Sequence, residues 1–156
     1  MKAYLDIETA FDGRVSVIGI HIPGREMVQL TGDQVTDLNL DQALKGVETV
    51  VTFNGTAFDL PLIRRIVGYD VLDVAGHRDL LRECRRRGIR GGLKRIEALF
   101  GIPRMACFTD GALAPGLWHR YETCGDEEAR SELLAYNRED CVNLEILETI
   151  LDGLEK

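Results

Sequence analysis

The chain has 156 residues, of which 45% are hydrophobic and 29% are charged, and its formal net charge is −7. This length and composition predict one globular domain, residues 1–156, whose core needs no disulfide bonds. The sequence contains neither the roughly 18 apolar residues of a membrane span nor the apolar segment of a signal peptide, which favours a soluble, cytoplasmic protein without a membrane partner. The negative charge argues against a general nucleic-acid coat protein, and the four cysteines lack the spacing of a zinc site.

The first part of the chain predicts an antiparallel sheet. Three segments rich in Val, Ile and Leu are separated by Asp12-Gly13 and Pro23-Gly24, which are strong turn signals. Two tight turns between three strands make a meander. The predicted strands cover residues 3–9, 14–22 and 25–32.

The middle of the chain alternates between helix and strand signals. A short helix is predicted where Asn39 or Asp41 can cap its start and Gly46 its end. Alternation of this kind favours parallel crossover connections between strands. The predicted elements are a helix over 39–46, a strand over 47–53, a helix over 58–68 and a strand over 69–76.

The rest of the chain is predicted to be helical, apart from a looser stretch at 102–116 that contains Pro and Gly. The sum is an α/β fold in which a mixed five-stranded sheet, three antiparallel strands followed by two parallel ones, is flanked by helices. The predicted helices of this part cover residues 77–88, 92–101, 117–122 and 126–154.

Two acids share one face of the first predicted strand. Alternate strand residues point the same way, so the carboxylates of Asp6 and Glu8 in "DIET" lie roughly 6.6 Å apart. On an exposed strand face they would simply be solvated, but apolar residues flank this pair. Buried carboxylates must be paired or must bind metal, so we treat the pair as candidate ligands.

A third acid follows the strand predicted at 47–53. The segment "FNGTAFD" places Asp59 at the start of a helix, after the turn signal Asn54-Gly55. Asp59 can serve as a helix-entry residue that favours the macrodipole, or it can join the acids of the first strand. This motif alone leaves both interpretations open.

A fourth acid interrupts the apolar stripe of the last predicted helix. Leu133, Asp140 and Leu147 recur at heptad spacing, so Asp140 occupies a position where leucine is expected. Tyr136 lies one turn earlier on the same face, about 6 Å away along the helix axis. A salt bridge from Asp140 to a base such as Arg138, and a core role for the Tyr136 ring, are the alternatives.

The four acids together indicate a site for hard divalent cations. A mixed α/β fold can bring a strand pair, a loop acid and a helix acid to one point. Carboxylate oxygens suit Mg²⁺ or Mn²⁺ rather than zinc, and two such ions about 3.5–4 Å apart form the clamp used for phosphodiester cleavage. The predicted ligands are Asp6, Glu8, Asp59 and Asp140.

These motifs resemble those of a known enzyme family. The segments "DIET", "FNGTAFD" and "YNRED" match, in order, the three motifs of the DEDD superfamily of 3′→5′ exonucleases, which have a ribonuclease-H-like fold. The middle motif resembles the N-x-x-x-F-D of proofreading domains in family B DNA polymerases, and the last has the Y-x-x-x-D form of the DEDDy branch. With "GGLKRIEALFGI", the chain looks most similar to YprB-like ribonuclease-H-like domains. The resemblance extends from Asp6 to about Leu147.

The resemblance implies an enzyme that hydrolyses single-stranded DNA or RNA from the 3′ end and releases nucleoside 5′-monophosphates. Tyr136 would orient the attacking water, because a phenol with a reference pKa of about 10 is a poor base at neutral pH. Protein partners in a repair or processing complex are also expected. Asp6, as the bridging ligand, would hold two Mg²⁺ or Mn²⁺ ions together with Glu8, Asp59 and Asp140.

Several further residues are predicted to contact the substrate or to support the site. Thr9, Asn54 and Phe58 are expected at the terminal nucleotide, with Phe58 packing or stacking on its base or sugar. The alternatives are a turn residue for Asn54 and a core aromatic for Phe58. Asp73 and His77 lie near the end of the last predicted strand, and we expect them to be structural.

Basic residues are concentrated in one segment. Eight of the 19 Lys and Arg residues lie within 78–95, where only Asp79 and Glu83 oppose them. A solvated helix face explains this pattern as well as a surface that follows the substrate backbone, to which Arg64 and Arg65 would add.

Parts of the sequence are compatible with three alternative functions. The first is a catalytically silent nucleic-acid-binding or scaffold module with the same fold. The second is an endonuclease of similar fold, against which Tyr136 argues weakly. The third is a haloacid-dehalogenase-like phosphatase, whose D-x-D motif differs from "DIET".

Overall fold

The computed structural model describes residues 1–105 and 113–154, and its centre is a five-stranded sheet. The strands are β1 (Lys2–Thr9), β2 (Val15–His21), β3 (Val28–Thr31), β4 (Thr49–Thr52) and β5 (Gly76–Asp79). Their order in the sheet is β3-β2-β1-β4-β5, so the strand that contains Asp6 and Glu8 lies in the middle. The first three strands are antiparallel, and β4 and β5 run parallel to β1. The predicted mixed sheet is therefore confirmed.

Within the described part of the chain, six α-helices flank this sheet. They are α1 (Asp37–Ala43), α2 (Asp59–Leu62), α3 (Leu80–Arg86), α4 (Leu93–Phe100), α5 (Ala114–Cys124) and α6 (Glu127–Gly153). The long helix α6 begins where predicted, because the side chain of Asp126 accepts a hydrogen bond from the backbone N–H of Ala129 and caps its first turn. One π-helical turn, Ile63–Val67, follows α2.

The last strand is not where the sequence predicted it. Residues 69–76 contain a short 3₁₀ helix, Val71–Asp73, and β5 follows at Gly76–Asp79. The Asp70 side chain accepts the N–H of Leu72 and so stabilises a turn in place of an extended strand. The predicted helix 77–88 therefore loses its first residues to β5.

Two helix starts also differ from the prediction. Helix α1 is capped by Thr36, whose Oγ1 accepts the N–H of Asn39 at 3.2 Å, rather than by Asn39 or Asp41. Helix α5 begins at Ala114, before the predicted 117. Much of the predicted irregular stretch, residues 106–112, lies outside the described residues.

Both faces of the sheet are covered. On one face, Leu5, Ile18 and Ile20 pack with residues of α1 and α2. On the other face, α3, α4, α5 and α6 form two apolar clusters, and α6 crosses β1 and β2. The acids of β1 point toward the α6 face, because they alternate with the buried Leu5 and Ile7 of the opposite face.

A glycine permits the close approach of α6. A Cβ atom on Gly19 of β2 would lie 2.2 Å from Oδ1 of Asn137 and 2.8 Å from Sγ of Cys141. Gly19 is directly opposite Asp6 in the β1–β2 ladder. Only glycine therefore allows α6 to pack against the sheet at the level of Asp6.

Candidate metal centre

Three carboxylates from two elements converge on the α6 side of the sheet. Asp6 and Glu8 come from β1, and Asp140 comes from the middle of α6. Each contributes an oxygen that lies within 4.8 Å of the oxygens contributed by the other two. Glu8 and Asp140 are buried and Asp6 is partly exposed, so the cluster is accessible from one side.

The close packing of α6 places these acids. Asn137 lies one turn before Cys141 against Gly19, and its Nδ2 donates to Oδ2 of Asp6 at 3.1 Å and to the Asp6 carbonyl at 3.2 Å. This amide fixes the Asp6 side chain relative to the helix. Asp140 follows Asn137 by three residues, so it projects from nearly the same face.

Asp59 lies beside this cluster rather than in it. Its Oδ1 accepts the backbone N–H of Ile7 at 3.2 Å. That N–H needs a partner, because the ladder between β1 and β4 ends at Tyr4 and Val51. The carboxyl thus meets β1 between Asp6 and Glu8, but it is not among the three acids whose oxygens converge. Its role as a fourth ligand stays a prediction.

The cluster carries more negative charge than its surroundings neutralise. Burial raises the pKa of Asp6 well above its usual value, and the neighbouring Asp140, Glu8 and Asp59 raise it further. Burial likewise raises the pKa of Glu8, with Asp140 and Asp59 adding to the effect. The pKa of Asp59 rises to about 7, chiefly through burial. Groups of this kind bind protons or cations more readily than exposed carboxylates do.

A buried ion-pair network holds Asp140 from the other side. Arg104 donates through Nη2 to Oδ1 of Asp140 and through Nη1 to both oxygens of Glu97, at 2.8 and 2.6 Å. Glu97 is fully buried and also accepts from Nδ2 of Asn143 at 2.9 Å. Burial raises the pKa of Asp140, and the Arg104 charge opposes that rise. One oxygen of this candidate ligand is therefore shared with an arginine.

The sequence analysis missed this network, although a signal for it was present. Leu93, Ile96 and Phe100 form the apolar stripe of α4, and Glu97 falls within it at i+4. An acid in an apolar stripe was the signal that singled out Asp140, and the same reasoning applies to Glu97. Its partner Arg104 lies beyond the helix and has no comparable pattern.

Tyr136 is buried next to the carboxylates. Burial, followed by the charges of Asp140 and Glu8, raises the pKa of its phenol above the usual value. Nζ of Lys94 lies 4.5 Å from the centroid of the Tyr136 ring, and the Arg104 guanidinium carbon lies 5.4 Å from it. Lys94 also lowers the pKa of Glu8 and of Asp140, so it belongs to the electrostatic surroundings of the site.

The three predicted substrate residues lie at or after the carboxyl ends of the neighbouring strands β1 and β4. Thr9 ends β1, at an irregularity in its pairing with β2. Asn54 follows β4 and adopts a left-handed conformation with φ of 68°. The Phe58 ring is 45% exposed, which contradicts its alternative role as a core aromatic. Contacts of these residues with a nucleotide stay a prediction.

Asp79 is a residue that the sequence analysis did not assign to the site. Its carboxylate accepts the N–H of Asn54 at 2.9 Å, the N–H of Thr56 at 3.2 Å and the N–H of Leu81 at 3.1 Å. Burial raises the pKa of Asp79, but hydrogen bonds, among them those from the N–H groups of Asn54 and Thr56, lower it by a larger amount. The net shift of the pKa is therefore downward. Asp79 thus positions the 54–56 loop and also caps α3.

Asp73, His77 and Arg78, which were also considered for the site, have contacts or positions typical of structural residues. Nε2 of His77 lies 2.9 Å from Oγ1 of Thr52, and Asp73 is exposed in the 3₁₀ helix. Within the basic segment, Arg78 is bound by Glu83, Glu148 and Asp152. It is therefore not available to a substrate.

The residues present fit a hard divalent cation. The converging donors are three carboxylates, with no thiol or imidazole among them. Oxygen donors with high negative charge are the ligands preferred by Mg²⁺ and Mn²⁺. Asp6, Glu8 and Asp140 would hold such an ion, and burial raises the pKa of all three.

The comparison with protein families agrees with this fold. The family model described as RNase_H superfamily matches residues 3–151. The chain therefore belongs to the RNase H superfamily, whose members are usually metal-dependent nucleases. No curated protein matches the chain. Among residues 1–105 and 113–154, no helix is both long enough and apolar enough to cross a membrane.

Proposed function

We propose that the protein, as a single domain, is a 3′→5′ exonuclease of the DEDDy type that uses two Mg²⁺ or Mn²⁺ ions to degrade single-stranded DNA or RNA. The observation that carries this proposal is the convergence of Asp6, Glu8 and Asp140, with Tyr136 one turn before Asp140. Superfamily membership supports a nuclease, and the resemblance of the three motifs supports the polarity. A cytoplasmic location and protein partners in a repair or processing complex belong to the same proposal.

In this proposal, the carboxylates bind and position the cations. Asp6, Glu8 and Asp140 supply the converging oxygens, and Asp59 is the fourth ligand of the proposal. When bound, divalent cations supply Lewis-acid stabilisation of the charge that develops on the phosphodiester. Asn137 keeps Asp6 oriented through its hydrogen bond to Oδ2.

Tyr136 positions the attacking water by a hydrogen bond. Its raised pKa keeps the phenol protonated at neutral pH, so it does not act as a general base. Attack by water on the terminal phosphodiester forms a new P–O bond and breaks the bond to the 3′ oxygen of the preceding nucleotide. The products are a nucleoside 5′-monophosphate and a strand that is one nucleotide shorter.

The terminal nucleotide occupies the edge that carries Thr9, Asn54 and Phe58. The exposed Phe58 ring offers a stacking surface for a base or sugar, which does not depend on sequence. Asn54 has a left-handed backbone conformation and its N–H donates to Asp79, and its amide side chain is the polar group proposed to contact the nucleotide.

A labelled-strand assay tests the proposal. Protein purified in EDTA is supplied with Mn²⁺ and a 5′-labelled 12-nucleotide strand, in matched DNA and RNA versions. The expected result is a ladder that shortens from the 3′ end, which D6N and D140N abolish and Tyr136→Phe slows. Glu128→Gln, an exposed charge change on the same helix as Asp140, is the matched control and keeps full activity.

The other outcomes of this assay point to other functions. Internal cuts from the earliest times would indicate an endonuclease. Binding of the strand without any product would indicate the catalytically silent module. That alternative is favoured by one specific contact, since Arg104 takes up an Asp140 oxygen that a metal ion would need.

A further inference from the structure

The described part of the chain forms a basic cleft. It has a volume of about 770 Å³ and lies between the end of β4, helix α3 and the loop that leads into α4. Two of its lining residues are arginines and none is acidic, although the protein as a whole has a net charge of −7. The lining residues are Phe53, Asn54, Leu81, Arg85, Arg90, Gly91, Gly92 and Leu93.

The two arginines of the cleft differ from other arginines of the basic segment. Arg78 and Arg87 form ion pairs with Glu83. In contrast, Arg85 and Arg90 are exposed, and neither guanidinium forms a hydrogen bond or ion pair with a residue in the described ranges 1–105 and 113–154. They therefore remain able to bind an anion without breaking an existing contact.

Each wall of the cleft contains a residue that is close in sequence to a residue of the candidate metal centre. Asn54 lines one wall and begins the loop that ends at Asp59. Leu93 lines the other wall and precedes Lys94, whose Nζ lies over the Tyr136 ring. A ligand that extends away from the carboxylates along this path reaches the two arginines.

We propose that this cleft binds the sugar–phosphate backbone of the strand whose 3′ end lies at the carboxylates, and that Arg85 and Arg90 contact its phosphates. This inference rests on the proposed exonuclease function. Guanidinium groups bind phosphate through paired hydrogen bonds, and the apolar Phe53, Leu81 and Leu93 offer surface to sugars or bases. The basic segment thus separates into arginines that stabilise the fold and arginines that hold substrate.

The arrangement also explains how an acidic protein binds a polyanion. The carboxylate cluster repels a strand when no metal is bound, whereas the cleft attracts it. Binding energy from phosphates remote from the reacting bond then holds the 3′ end at the site.

Strand binding by paired variants tests the inference. R85A/R90A is compared with R82A/R86A, which removes the same charge from exposed arginines of α3 that do not line the cleft. Both pairs are made in a D6N background, and binding of a fluorescent 12-nucleotide strand is measured in EDTA at several salt concentrations. R85A/R90A should lower affinity about tenfold and reduce the slope of log K against log salt by about 1.4, since a single strand contributes about 0.7 per phosphate contact.

A small substrate separates this inference from the proposed function. In the wild-type background, R85A/R90A should slow hydrolysis of the 12-nucleotide strand but leave hydrolysis of the p-nitrophenyl ester of thymidine 5′-monophosphate unchanged, because that ester has no upstream phosphates for Arg85 and Arg90 to contact. Equal effects of the two arginine pairs on strand binding would overturn the cleft assignment. Strand binding through Arg85 and Arg90 without any hydrolysis would instead overturn the exonuclease and leave the cleft.

Discussion

Two clusters of acids on the α6 side of the sheet differ in how their charges are paired. Around Arg78, the guanidinium binds Glu83, Glu148 and Asp152 at 2.7, 2.6 and 2.7 Å. The buried Glu148 also accepts from Lys2 at 2.9 Å and from the Tyr4 hydroxyl at 2.7 Å. At the candidate metal centre, three carboxylates converge, and among the described residues Arg104 forms an ion pair with one of them, Asp140.

The pKa shifts follow this difference in pairing. Hydrogen bonds from Arg78 lower the pKa of Glu83 and of Asp152, whereas burial and like charges raise the pKa of Asp6 and Glu8. Removing one partner of a buried ion pair is destabilising, because the remaining charge is left uncompensated. Acids that are close together without equal countercharge are destabilising until a cation binds, and this arrangement is typical of a ligand site.

Disrupting one member of each cluster should have opposite consequences, and the largest effect is on catalysis. Asp6→Asn should lower activity by about 10³-fold or more, because metal stabilisation of the transition state is worth several kcal/mol. In EDTA the same variant should melt at or above the wild-type temperature, since it relieves repulsion. Wild-type rates in D6N, measured on the labelled strand, would show that Asp6 is not a ligand.

The stability of the metal-free protein should depend on the protonation of its unpaired acids. The pKa of Asp59 is about 7 in the folded chain and near 4 when unfolded, so the folded state binds the proton more tightly. This contribution is fully present below pH 4 and is lost as pH rises through 7. Urea unfolding in EDTA at pH 5 and pH 8 should show a fall on the order of 3 kcal/mol from this group.

Asp59→Asn is the matched control for this pH effect. Its Oδ1 can still accept the Ile7 N–H, but the side chain does not titrate. The difference in stability between pH 5 and pH 8 should therefore shrink relative to wild type. An unchanged difference would mean that Asp59 does not titrate in this range.

Breaking the paired cluster should destabilise the fold without affecting metal binding. Arg78→Met leaves Glu148 buried with fewer partners, and breaking a partly buried network of this kind costs about 3 kcal/mol. Arg82→Met, on exposed helix surface nearby, should change stability by less than about 0.5 kcal/mol. Urea unfolding measures both variants, and a loss for R78M no larger than for R82M would contradict a stabilising role for the cluster.

The smallest predicted effect is on metal affinity. Mn²⁺ at 100 times its Kd should stabilise the wild type by about 2.7 kcal/mol. In the double variant Glu97→Gln with Arg104→Met, Asp140 is no longer shared with a cation, and Mn²⁺ should bind about tenfold more tightly, since a hydrogen bond to a charged group contributes about 1.5 kcal/mol. Electron paramagnetic resonance of free Mn²⁺ gives the Kd, and R78M should match wild type.

The sequence by itself determined the first four strands and most of the helices. Turn signals at Asp12-Gly13 and Pro23-Gly24 and the apolar periods of the segments between them are local features, and they predicted the antiparallel meander confirmed here. The same local reasoning found Asp6 and Glu8 on one strand face and Asp140 in an apolar stripe, because an acid at an apolar position is visible without any contact.

Only the tertiary structure decided which charges meet. Whether Asp59 joins the three converging carboxylates, and whether an arginine such as Arg78 or Arg85 is paired or open, depends on side chains that are far apart in sequence. The position of the last strand was also decided by hydrogen bonds that the Asp70 and Asp79 side chains accept from the backbone, which override a weak strand pattern. Electrostatic interactions act over a few ångströms in space, and a linear sequence does not contain those distances.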